Sequence, residues 1–166
     1  VTHHHPTQAL HVGHAQTPGY LPAPGSHPAP ARPSGVRFWA LGFLWFIPFI
    51  GAVLAPILLG VAAAQNRRHP EPLVRENARL AANWVLTATL AAALGTALVV
   101  LIGIMHLVLT GTTEIGSELS PLMLVPNLLL WATWITHLTV CCIGVASAGS
   151  RIVNPRIAIP FFPPAR

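Results

Sequence analysis

The chain has no lysine, no aspartate, four glutamates, one tyrosine and two cysteines in 166 residues. So few acids and bases leave little for enzyme chemistry. No nucleophile–base–acid set stands out, no Gly-rich phosphate loop is present, and neither an enzyme activity nor a cofactor is expected. Cys141 and Cys142 are adjacent. Neighbours on a helix point about 100° apart, too divergent for an unstrained bridge, so both read as small core residues. There is no disulfide framework and no zinc spacing. Only 8% of the residues are charged, against roughly a quarter in a soluble domain.

All nine basic residues are arginine, and the net charge is +5. They flank apolar runs and form no basic stripe or recognition motif, which argues against nucleic acid as a partner. Anionic lipid headgroups suit them better.

What the chain has in abundance is apolar length. Residues 38–64, 81–109 and 119–148 form three runs with almost no ionisable groups. A run of about 20 apolar residues crosses the roughly 30 Å hydrocarbon core of a bilayer as a helix. The expected fold class is therefore an all-α membrane protein, a small helical bundle spanning residues 36–153. Ahead of it, residues 1–35 hold seven prolines among Ala, Gly and His, a composition expected to stay disordered. After it, residues 154–166 are expected to be a short interfacial tail. The first run starts too late and is too long for a secretory signal, and cleavage after Ala64 is not expected.

Pro48 and Gly51 break the first run, which leaves a single kinked span or a helical hairpin that enters and returns. Two long transmembrane helices follow, one starting at Pro72 and running to about Thr110, the other from about Pro121 to Ser150. Charge favours the hairpin. Arg67, Arg68, Arg75 and Arg79 precede the second run and Arg151, Arg156 and Arg166 follow the third, whereas the 110–120 loop holds only Glu114 and Glu118. Arginines collect on the cytoplasmic side, and only a hairpin puts Arg32 and Arg37 there too. The expectation is a multi-pass protein of the inner (plasma) membrane with both termini cytoplasmic.

Candidate sites are few. Glu76, Arg79 and Asn83, spaced i, i+3 and i+7, share one helical face at the cytoplasmic entrance of a span. They read as a polar cluster that contacts a translocating solute, or as a headgroup-level ion pair with Asn83 bonding a neighbouring helix. His106 and His137 are intramembrane candidates at different depths, so a shared haem or metal site is not expected. His3, His4, His5, His11 and His14 offer loose metal affinity without fixed geometry. Thr87, Ala91, Gly95 and Gly103 on one helix, and Gly144 and Ala148 on the next, are spaced for close helix packing in lipid. Expected partners are lipids and other membrane proteins or further copies of the chain.

Residues 72–84, Pro-Leu-Val-Arg-Glu-Asn-Ala-Arg-Leu-Ala-Ala-Asn-Trp, behind the Pro48 break, resemble small bacterial membrane proteins related to the inner-envelope import component of the chloroplast Tic translocon. The match lies at Pro72, Val74, Asn83 and Trp84; Asn77 stands where that family usually has His, and Val85 where Gln is common. The resemblance implies a helical bundle over residues 38–162 with both termini on one side. It also implies a non-enzymatic assembly or protein-handling role. A small-solute or ion pathway along Arg79, Asn83 and His137, or metal binding through the tail, are the alternatives.

Overall fold

A computed structural model describes residues 34–111 and 120–164; the His- and Pro-rich segment up to residue 33 lies outside them. The described chain is helical: α1 (Val36–Leu41) continues as a 3-10 turn (Gly42–Phe46), followed by α2 (Gly51–Gln65), α3 (Pro72–Thr110) and α4 (Ser120–Ser147).

Pro48 ends the first arm as its chemistry requires. Ile47, the residue before it, is extended with ψ 120°, and Phe49 takes a left-handed φ of 65° while its side chain is fully exposed. The Gly51 N–H then bonds the Ile47 carbonyl at 2.8 Å. A Cβ on Gly51 would strike the carbonyl oxygens of Leu44 and Trp45, so only glycine lets α2 start this close to the end of the first arm. At the far end of α2, Asn66 Oδ1 accepts a bond from Arg37 Nη2 at 3.4 Å. The two arms therefore begin and finish at the same level. The hairpin is formed, and the kinked span is not.

Helix α3 begins with Pro72 at its first turn, where a missing N–H costs nothing, and ends on Gly111 at φ 70°. At 1.5 Å per residue α3 is about 58 Å long and α4 about 42 Å, whereas α2 reaches only about 22 Å. Both long helices are apolar enough to cross a membrane.

The core lies where the hairpin wedges against α3 and α4. Small residues dominate it: Ala55, Ala63, Ala78, Ala81, Ala82 and Ala148 are buried around Trp39, Leu59 and Val85. In lipid, burial of apolar surface gives helices little reason to associate, so close packing and interhelical hydrogen bonds carry the fold. The small-residue expectation divides accordingly. Gly95 accommodates Leu130 of α4 and Gly144 lies under Trp39 of α1, while Gly103 has nothing within 4 Å of where a Cβ would sit. Beyond Gly95, α3 exposes Val100, Leu101, Ile104, Met105, Val108 and Leu109. That surface faces lipid or other proteins.

Candidate functional site

Glu76, Arg79, Asn83 and Thr87 fall within one face of α3, as spacing by three and four dictates. Arg79 places Nε and Nη2 each 2.8 Å from Glu76 Oε2. Its Nη1 reaches the Phe162 carbonyl at 3.1 Å. Asn83 grips the same residue from both sides, accepting from the Phe162 N–H at 2.8 Å and donating to its carbonyl at 3.2 Å. One turn deeper, Thr87 Oγ1 donates to the Asn83 carbonyl and accepts from the Ile159 N–H, both at 2.8 Å.

The three cluster residues are thus brought together, and their common object is the chain's own C-terminal segment. Residues 151–162 fold back against α3 instead of lying only along an interface. Irregular backbone at membrane depth must have its polar groups met by protein, and the Asn83–Thr87 face meets them. Replacing Asn83 by Leu removes two of these bonds, each worth about 0.5–1.5 kcal/mol. Amide exchange at Phe162 is expected to accelerate by about tenfold or more; unchanged protection at Phe162 would show that the tail is held elsewhere.

In the sequence Asn77 stands out only as a departure from the Tic-related pattern and not as a site, yet it has the richest set of partners in the described chain. Fully buried, it accepts from Trp39 Nε1 at 3.0 Å and from the Val153 N–H at 3.1 Å. Its Nδ2 donates to the Leu73 carbonyl at 2.9 Å and to the Arg151 carbonyl at 3.2 Å. One side chain ties α1, α3 and the segment after α4 together. Nearby, the Gly35 N–H bonds the Ala148 carbonyl at 3.1 Å. The start of α1, the end of α2, the start of α3 and the end of α4 therefore meet at one arginine-rich end. The end of α3 at Thr110 and the start of α4 at Ser120 lie away from that end; the residues between Gly111 and Ser120 lie outside the described ones.

His137 is fully buried on the inward stripe Thr133, His137, Cys141, Gly144 and Ala148 of α4. Its Nε2 lies 3.1 Å from the Gly42 carbonyl and 3.6 Å from Cys141 Sγ. The rings of Trp45, Phe46 and Trp84 enclose it at 4.8, 5.3 and 6.2 Å. His137 is thus packed between the hairpin and α4, and its Nδ1 is buried without a hydrogen-bond partner among the described residues. Arg79 and Asn83 bind the tail instead of joining it in a continuous polar line. His106 sits near the far end of α3 with Thr110, whose hydroxyl donates to the His106 carbonyl at 2.8 Å. The two histidines are not brought together, and among the described residues no three His, Cys, Asp or Glu side chains form a metal-holding group. Cys141 is buried, Cys142 exposed, and both are free thiols. His3, His4, His5, His11 and His14 lie outside the described residues.

Comparison with known proteins corrects the resemblance drawn from residues 72–84. No curated protein and no solved structure matches the chain. The family model that does match is not that of the Tic-related proteins. The shared residues have local physical reasons that carry no import function. Pro72 opens a helix, Val74 and Trp84 fill the core, and Asn83 binds the tail. At position 77, where the resemblance departs, Asn77 ties three elements together. The matching model covers residues 35–162, and the chain belongs to the magnetosome magnetite crystal formation protein family (MamF/MmsF).

Proposed function

We propose that this chain is a non-enzymatic protein of the magnetosome membrane that aids magnetite crystal formation by presenting the α3–α4 connection to the side where the crystal grows. The observation that carries this reading is the gathering of the other helix ends, and of Arg37, Arg67, Arg75, Arg79 and Arg151, at one end of the bundle. By the positive-inside rule that end is cytoplasmic, and the connection lies across the membrane. Its only charged residues are Glu114 and Glu118. Carboxylates are oxygen ligands suited to hard and borderline cations, and magnetite is an iron oxide. Two carboxylates per chain bind an ion or a crystal face weakly, but many copies side by side in one membrane bind with high avidity. The exposed apolar surfaces of α3 and α4 suit such lateral assembly.

The test is to express Glu114→Gln/Glu118→Gln in place of the native protein in magnetite-forming cells. Crystals are expected to be smaller by electron microscopy, with membrane protein levels unchanged. Crystals of normal size and shape at normal protein levels would remove the carboxylates from the process. A single cysteine at Thr112, in a Cys141→Ala/Cys142→Ala background, is expected to resist cytoplasm-side labelling.

A further inference from the structure

At the arginine-rich end, the last turn of α2, the first turns of α3 and the returning tail enclose a cavity of about 240 Å³. Ala63, Ala64, Arg67, Arg75, Arg79, Phe162 and Pro163 line it. Three arginines therefore line one small space, and the carboxylate beside Arg75 and Arg79 is Glu76. That carboxylate is already engaged by Arg79 at 2.8 Å. The Nε of Arg75 is buried without a hydrogen-bond partner, its nearest acid being Glu76 Oε1 at 3.6 Å. The Arg67 side chain makes no hydrogen bond or ion pair among the described residues. Three positive charges against one negative leave the cavity with an excess of about two, and with N–H donors that the protein does not use.

Guanidinium forks match the oxygens of a tetrahedral phosphate group. The cavity is smaller than the roughly 300–1,000 Å³ that takes a drug-sized molecule, so it suits a single oxyanion group. Ala63, Ala64, Phe162 and Pro163 supply an apolar wall beside the charges. Arg79 is four residues before Asn83, where α3 becomes continuously apolar, which sets the cavity at headgroup depth. We infer that this cavity is a binding site for a phosphate-bearing anion, held by Arg67 and Arg75 with Arg79 fixed between Glu76 and the tail. The same chemistry is offered by the phosphodiester of an anionic lipid and by free phosphate.

The full chain is placed in nanodiscs of phosphatidylcholine alone or mixed with phosphatidylglycerol, and inorganic phosphate is titrated into the phosphatidylcholine discs against chloride at equal ionic strength. Thermal unfolding and the lipid retained in native mass spectrometry are read. Arg67→Gln/Arg75→Gln spares Arg79 and the tail contacts. Loss of affinity is expected to be about fivefold per arginine removed, the worth of one basic group at an anionic surface. Arg67→Lys/Arg75→Lys is expected to retain part of the binding. Stabilisation by phosphatidylglycerol but not by phosphate, lost in the Gln variant, assigns a lipid headgroup. Stabilisation by phosphate in phosphatidylcholine discs, lost in the same variant, assigns a free oxyanion. If the wild type responds to neither probe, or the Gln variant responds as the wild type does, the site does not exist. Arg67→Gln alone, at an exposed side chain with no hydrogen bond or ion pair among the described residues, serves as the readout should the double variant not fold.

Discussion

Replacing Asn77 by Leu is expected to lower stability by about 3 kcal/mol and to release the segment after α4. The value follows from weighing two scales. A buried donor left without an acceptor costs about 1–3 kcal/mol, and Asn77→Leu leaves two, Trp39 Nε1–H and the Val153 N–H. Hydrogen bonds between membrane helices average nearer 0.6 kcal/mol, because the separated helices find other partners. Here the Val153 N–H can recover water only if residues 151–153 peel away from α3. Trp39, 1% exposed, has no such escape. The loss should therefore appear as lower thermal stability in detergent together with fast amide exchange at Val153. His at position 77 is not expected to substitute. A neutral imidazole has one acceptor nitrogen, whereas the Asn carbonyl has two lone pairs and takes both bonds. If Asn77→Leu unfolds at the wild-type temperature with Val153 still protected, the knot of bonds at Asn77 contributes nothing to the fold.

The all-helical architecture, with two helices long and apolar enough to span a membrane, was legible because its signals are local. An apolar run of membrane length, Pro72 at a helix start and Pro48 in a turn each declare themselves within a few residues. Even the hairpin, ambiguous from Pro48 alone, was favoured by counting arginines on either side of the runs. The tail was another matter. Ile159 and Phe162 meet Thr87 and Asn83 across more than seventy residues, and bonds from irregular backbone to distant side chains leave no period in a sequence. Glu76, Arg79 and Asn83 were grouped by helical spacing, but what they face could not be read from spacing. Asn77 stood out only as a departure from a family pattern, since a lone Asn in the second turn of a helix does not declare which partners it meets. The Tic-related resemblance failed for a related reason. It rested on a helix-start pattern that describes how α3 begins and packs, and such a pattern constrains structure more than lineage.

Gly144→Leu is expected to have a larger effect than Asn77→Leu, because it removes the hairpin's seat. A Cβ at Gly144 would lie less than 3 Å from three atoms of the Trp39 indole, closer than packed atoms come. Ordinary overpacking costs about 1–3 kcal/mol because neighbours can shift. Trp39 cannot shift freely, since its Nε1 is bonded to Asn77 and its ring is closed in by the core. Gly144→Ala is therefore expected at the upper end of that range. Leu must expel the indole altogether, which forfeits the packing of a buried aromatic, about 3–5 kcal/mol, and with it the Asn77 bond. The α3–α4 pairing at Gly95 and Leu130 is remote from this contact and should persist, so the hairpin detaches while the long helices stay paired. Intrinsic fluorescence and thermal unfolding read the two parts. The decisive comparison is Trp39→Ala in the same background. If the damage comes from the collision, Trp39→Ala/Gly144→Leu is less unstable than the sum of the single changes, by more than the roughly 0.5 kcal/mol within which independent sites add. Strict additivity would mean that α1 does not rest on α4 through this pair.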